Sequence, residues 1–293
     1  MRQKMSDTLT LLVNQLIAYL QPDEVQMLDN VGLTLYRADT PISRVSYVQE
    51  PSVCFILRGQ KTVYWGDNTI TYGDGQFLCY SVEMPLVGEV LGASADYPYT
   101  GIQMKLDNAT ILNLLNEIKT FPPNTTQSGI EIGQVDEPML DALHRLVNLA
   151  CYPDDLKVLA PLIRHELHYR LLKSPIAPIL AQMGAIGGHN QRISQAIVYL
   201  KENFAHTVTV ETLADIAKMS VPNFYKHFRQ ITAISPLQYQ KSLQLTEARR
   251  LILLGQLSLA QIAHQVGYES PSQFSREYKR YFGISPSADK SQG

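Results

Sequence analysis

Two short stretches carry the side chains best suited to chemistry, and both carry the same kind. Near the C-terminus, "SPSQFSREYKRYFGISP" sets Ser272, Gln273, Ser275, Arg276, Lys279 and Arg280 at helical spacing around Phe274, Tyr278 and Tyr281, which are expected to face inward. Fifty residues upstream, "SVPNFYKHFRQITAISP" sets Asn223, Tyr225, Lys226 and Arg229 around Phe224, Phe228 and Ile231. Phe224, Lys226, Phe228, Arg229 and Ile234-Ser235-Pro236 match Phe274, Arg276, Tyr278, Lys279 and Ile284-Ser285-Pro286. A helix offered to the major groove of DNA needs short polar residues near its N-terminus for base edges and cations farther along for phosphates. Both copies supply them. A guanidinium such as that of Arg276 reaches O6 and N7 of one guanine together, whereas the ammonium of Lys279 suits a phosphate.

Each outward face needs a helix held at a fixed angle to another. In both copies the recognition segment follows a short helical run and a tight turn: Thr212-Leu213-Ala214 to Met219 aligns with Gln261-Ile262-Ala263 to Tyr268. A small residue at the crossing (Ala214, Ala263) and a turn residue four positions on (Lys218, Gly267) are what two steeply crossing helices require. Ser270 reads as an N-cap, with Pro271 in the first turn and Gln273 completing a capping box. Pro236 to Leu254 reads as a helix of about 28 Å that separates the two units.

Charge is divided in the same way. Residues 190–293 hold 12 Lys+Arg against 7 Asp+Glu, net +5, while residues 1–189 hold 13 against 20, net −7. Only the C-terminal part is suited to a polyanion.

Upstream the periodicity changes. From Thr34 to Gly101 short runs rich in Val, Ile, Tyr and Phe ("RVSYV", "VCFIL", "TVYWG", "TITYG", "QFLCYS") alternate with Gly, Asp, Asn and Pro, as in a small antiparallel sandwich or barrel. Asp67-Asn68 and Tyr72-Gly73-Asp74-Gly75 read as hairpin turns. Ile111 to Ile118, Leu140 to Ala150 and Leu159 to Leu172 then follow helical spacing, and these helices are expected to pack on the barrel or on a second subunit. Leu9, Leu12, Val13, Leu16, Ile17 and Leu20 share one face of an amphipathic docking helix. That segment lacks the marks of a secretory signal, and no run is long and apolar enough to span a bilayer. A cytoplasmic protein with no membrane association is expected. Ser174 to Asn190, with two prolines and three glycines, is the expected joint.

Residues 190–288 resemble the DNA-binding domain of the AraC/XylS family of bacterial transcription regulators, through "IAHQVGYESPSQFSREYKRYFGISP" in particular. The resemblance implies two recognition helices that enter successive major-groove turns on one face of DNA. Lys218, where a small residue is usual, and Pro222 depart from the family pattern. Leu33 to Leu172 resembles a more restricted group, regulators with a cupin-like N-terminal domain, through "CFILRGQKTVYWGDNTITYGDGQFLCYSVEMP" and "VLAPLIRHELHYRLL". That second resemblance implies a jelly-roll-like domain that senses an effector or dimerises; it names no ligand.

The expected organisation is therefore α+β. A cupin-like β-barrel with packed helices (1–173) is followed by a linker (174–190) and an all-α double helix-turn-helix domain (191–288). The expected partners are double-stranded DNA, a small-molecule effector and a second copy of the chain, with RNA polymerase a further candidate. A cupin enzyme is the rival from another class, but all seven histidines (144, 165, 168, 189, 206, 227, 264) lie beyond the β segment, where they cannot form an imidazole metal site inside a barrel. No metal, cofactor or enzymatic activity is expected. A nonspecific architectural DNA binder is opposed by the modest charge and the polar recognition faces.

His165 and His168 read as packing or surface residues. Cys54, Cys79 and Cys151 form neither a disulfide framework nor a zinc module. Cys54 and Cys79 read as small hydrophobes or as thiol sensors, the latter requiring a low pKa and solvent access. Arg58 and Lys61 lie near Cys54 in sequence. Tyr47, Tyr64, Trp65, Tyr72 and Tyr80 read as core residues or as the lining of an apolar pocket with polar tips.

Overall fold

The computed structural model describes residues 2–118, 128–185 and 187–291. Among these residues the N-terminal half forms ten strands in two antiparallel sheets. These are β1 (Val25–Leu28), β2 (Leu33–Ala38), β3 (Ile42–Gln49), β4 (Ser52–Arg58), β5 (Gln60–Trp65), β6 (Asn68–Gly73), β7 (Gln76–Tyr80), β8 (Met84–Val90), β9 (Tyr99–Lys105) and β10 (Ile130–Gln134). One sheet runs β1-β2-β9-β4-β7-β10 and the other β3-β8-β5-β6. The two face each other as an open barrel. The β5–β6 turn falls on Gly66-Asp67, with Trp65 paired to Asn68, one residue before the expected place. Gly66 takes the positive φ (55°) that a tight hairpin demands.

Every residue of β4 except Arg58 is buried, because the strand is covered on both faces. Phe55, Phe77, Cys79, Ile102 and Met104 point away from the opposite sheet into a helical layer. That layer comprises α1 (Arg2–Tyr19), α2 (Asn108–Glu117), α3 (Glu137–Leu149), α4 (Pro153–Leu172) and α5 (Ala177–Gly184). Leu12, Val13, Leu16 and Leu20 dock α1 as its periodicity implies. On the other face, Cys54, Ile56, Leu78 and Tyr80 meet Val63, Trp65, Leu86 and Val90 of the second sheet.

Helix α5 lies inside the segment expected to be a linker. Ile179 and Leu180 are fully buried against α2 and α4, and Pro178 is tolerated because it occupies the first helical turn. The break between the halves is thereby narrowed to residues 185–188, of which Ile186 lies outside the described residues.

Beyond it come α6 (His189–Asn203), α7 (Val210–Ile216), α8 (Val221–Thr232), α9 (Pro236–Leu254), α10 (Leu259–Gln265), α11 (Pro271–Phe282) and α12 (Pro286–Lys290). The first helix-turn-helix shares an apolar cluster with the barrel interior, whereas the second has its own, joined on the barrel side by Val87 of β8 and the partly buried Tyr64 of β5.

Candidate nucleic-acid interface

Helices α8 and α11 are the second helices of the two repeats, and each is fixed by a row of buried aromatics. Phe224 and Phe228 are wholly buried in α8, as are Phe274 and Tyr278 in α11. Each such ring contributes roughly 2–3 kcal/mol by leaving water. The third inward position of α11 is Phe282; Tyr281, expected there, is only partly buried and turns toward a cleft beside the barrel. A register of i, i+4, i+8 wins because Phe282 packs against both Tyr278 and Arg249.

The turn before α11 needs a glycine. Gly267 sits at φ 90°, and a Cβ on it would meet the Ala205 carbonyl oxygen at 2.4 Å. In the first copy Lys218 holds the same left-handed conformation at φ 53°. The helix ends repeat the contrast: Gly283 (φ 78°) closes α11, but Ala233 (φ 59°) closes α8. The first unit thus carries two strained non-glycine residues where the second has glycines. Ser270 caps α11 by accepting from the Gln273 N–H at 3.3 Å. Gln273 does not complete the box, because its side-chain amide donates to Glu277 at 2.9 Å. Complete capping boxes form instead at Ser235/Gln238 and Ser258/Gln261.

All ten residues expected to face DNA are exposed: Asn223, Tyr225, Lys226 and Arg229 on α8, and Ser272, Gln273, Ser275, Arg276, Lys279 and Arg280 on α11. They do not form one undivided face on α11. Gln273 and Arg280 line a cleft of about 700 Å³ together with Glu277, Lys241 of α9 and Tyr64 and Trp65 of the barrel. Glu277 and Lys241 escape a reading based on outward cations alone, although an acid at i+4 from Gln273 is a legible pairing. Burial works against the Glu277 carboxylate. Hydrogen bonds from Tyr268 and Gln273, with Lys241 and Arg280 nearby, outweigh it and hold the carboxyl below its usual range.

The five residues named as sensor candidates are dispersed. Tyr64 and Trp65 reach the interdomain cleft, Cys54 lines a smaller cavity between the sheets, and Cys79 and Tyr80 are fully enclosed on opposite faces of one sheet. Burial pushes both thiols, Cys54 and Cys79, above the ordinary cysteine range, which disfavours the thiolate that a reactive sensor needs. His168 is a buried packing residue, as one of its two readings held. Its Nε2 accepts from the Asp107 N–H at 3.0 Å while Nδ1 meets the Arg164 carbonyl at 2.7 Å.

Two helix-turn-helix units joined by one long helix, behind a two-sheet domain, define a DNA-binding regulator. Residues 30–179 match the family model described as the AraC-type transcriptional regulator N-terminus, just over half of the chain, and residues 213–292 match a helix-turn-helix domain model. The chain belongs to the AraC-type transcriptional regulators. It is 31% identical over 98 residues to the HTH-type transcriptional activator RhaS of an Enterobacter species, covering 33% of this chain and 35% of that one. With RhaS of Salmonella schwarzengrund the identity is 25% over 153 residues, 52% of this chain and 55% of the relative. The matches thus span from about a third to just over half of these curated relatives. ToxT of Vibrio cholerae, solved with an unsaturated fatty acid bound, superposes with a TM-score of 0.55 over 88% of this chain and 94% of its own at 11% identity, a likeness of fold alone.

Proposed function

We propose that this chain is a cytoplasmic regulator that reads a bipartite DNA site through residues 191–288 and is controlled by a small molecule held in its N-terminal domain. The observation that carries the reading is the duplication: α8 and α11 expose polar and cationic side chains at matching positions and are separated along the chain by α9 and α10. Ser272, Ser275, Arg276 and Lys279 lie clear of the interdomain cleft and form the reading edge of α11; Asn223, Tyr225, Lys226 and Arg229 form that of α8. RNA polymerase, for an activator, is a partner of the same DNA-bound form. The bound fatty acid of ToxT supports an effector for this fold. Isotherms of the full chain on selected and scrambled duplexes test the reading. Selected sequences bound no more tightly than scrambled ones would sink it.

The second copy of the chain is assigned to the outer face of α3 and α4. Val158 and Leu162 of α4 are 66% and 61% exposed, and with Tyr152 and Leu159 they leave an apolar strip beside the Arg145–Glu166 ion pair. Leu159 and Leu162 belong to the periodic row expected to pack, and a partner subunit would cover them. Sedimentation equilibrium of the full chain checks this: Leu162→Glu should shift the mass toward the monomer.

A further inference from the structure

DNA recognition leaves one feature of the barrel unused. A cavity of about 170 Å³ lies between the sheets, lined in part by the edge strands β1 and β3. Its outer part is apolar, with Val25 and Val45 58% and 48% exposed. Deeper in stands Lys61, on the same face of β5 as the buried Val63, with its ammonium 4.9 Å from the ring centre of Tyr47. Gly88 makes room for this pair: a Cβ there would meet Tyr47 Cε1 at 2.9 Å and Lys61 Cε at 3.1 Å.

Lys61 forms no ion pair with a carboxylate among the described residues. The acidic residue that lines the cavity, Glu89, is engaged elsewhere, by the Tyr64 hydroxyl at 2.6 Å and by Arg44 at 3.9 Å. The buried Tyr47 hydroxyl lies beside the Lys61 ammonium and has no acceptor for its own proton. An inward ammonium without a counter-charge and a phenol without an acceptor each cost free energy, and one anionic group set between them would relieve both.

We propose that this cavity binds a small monoanion with an apolar body, its oxyanion paired with Lys61 and accepting from Tyr47, its body against Val45, Val90 and Tyr99. The inference rests on the N-terminal domain being the effector site and names the effector's class. A cavity of about 150 Å³ accommodates benzene, so this one suits a single ring whose charged substituent is set toward Lys61.

The cavity wall is also tied to the DNA reader. The β3–β8 register breaks between Ile42 and Val45. The Arg44 carbonyl, within that break, accepts from Arg249 of α9. Arg249 pairs with Asp289 at 2.9 Å, and Asp289 accepts from the Tyr278 hydroxyl of α11. A ligand packed on Val45 therefore presses on a strand held by the helix between the two recognition helices.

The test uses the full chain without DNA, titrated calorimetrically with benzoate, benzyl alcohol and benzylamine, which share size and differ in charge. Benzoate should bind, benzyl alcohol about tenfold or more weakly, and benzylamine not at all. Lys61→Met should lose about tenfold or more of benzoate affinity, and Val45→Trp, which fills the outer part of the cavity, a similar amount. No binding of benzoate, equal binding of benzoate and benzyl alcohol, or unchanged affinity in a folded Lys61→Met overturns the proposal. Should Lys61→Met fail to fold, Val45→Trp decides, and unchanged affinity there overturns it. Because no DNA is present, failure here leaves the DNA-binding reading intact; lost selectivity for duplexes alongside intact benzoate binding would remove that reading alone.

Discussion

The hydroxyl of Tyr239, buried in α9, donates to the backbone carbonyl of Glu83, the residue just before β8, across 2.7 Å, joining the helix between the two DNA-reading units to the barrel. Lys201 of α6 pairs with the Glu83 carboxylate, and the Gly129 N–H donates to the Ile231 carbonyl in α8 at 2.8 Å, so the same seam is closed at three places. Tyr239→Phe keeps the ring on Phe228 but leaves the carbonyl unpaired. It should cost the full chain about 1–2 kcal/mol in urea denaturation. A loss within error of zero would mean that water satisfies the carbonyl.

Arg276 and Lys279 should separate in their effects on DNA. Arg276→Ala should cost about 1–3 kcal/mol on the selected site and relax preference at one or two base pairs, with little effect on scrambled DNA. Lys279→Ala should weaken both alike and make the log-log salt slope shallower by about one unit. Isotherms at several salt concentrations distinguish the two, and equal losses from Arg276→Ala on every duplex would reduce it to a phosphate clamp.

The left-handed residues of the first unit offer a stability test. Lys218→Gly and Ala233→Gly should each raise stability by up to about 1 kcal/mol, because relief of backbone strain exceeds the added chain entropy. Gly267→Ala should do the reverse by about 2 kcal/mol or more, since strain adds to a clash with the Ala205 carbonyl. Paired thermal and urea melts measure the three signs.

Two histidines set a pH dependence. Burial lowers the pKa of His168 below its ordinary 6.5, and burial with the stacked His189 ring lowers that of His227. A depressed histidine binds its proton first in the unfolded chain, so its contribution is intact above about 6.5 and is lost as pH falls below that value. Stability should therefore drop between pH 7.5 and 5.5. His168→Gln should flatten the profile over that window, as seen by denaturation at each pH.

Thiol labelling of the native chain should be dominated by Cys151, which is exposed, with Cys54 and Cys79 reacting on the timescale of opening. If either buried cysteine reacts as fast as Cys151, the electrophile-sensor reading of that residue regains its footing.

Much of this architecture is written in side-chain periodicity. The duplication of α7–α8 as α10–α11, the strands β3 to β7 and the helices α2 to α4 all follow from it, because each buries one regular face. What escaped depended on tertiary partners. Leu159 and Leu162 sit on a helical row yet stay exposed, since nothing among the described residues covers them. Pro175, Pro178 and Gly184 read as a joint, but Ile179 and Leu180 found a place on α2 and α4. Gln273 had the capping-box spacing, and Glu277 outcompeted the backbone for its amide. The inward turn of Lys61 is written in its alternation with Val63 and Trp65, which sets a cation in a core row.

The short connection between Gly184 and His189 fixes a scale for the DNA site. Even pulled straight, five peptide steps span only about 18 Å, roughly half of one turn of the duplex. If the seam at Tyr239 opens, the reader swings on a leash too short to pass to the next turn. In a dimer each reader stays on the stretch of duplex beside its own barrel. On the proposed dimeric reading, spacing between half-sites is then expected to be a property of the protein: insertions of a base pair or two should be absorbed by the leash, whereas half a turn should carry the second site around to a face the leash does not reach.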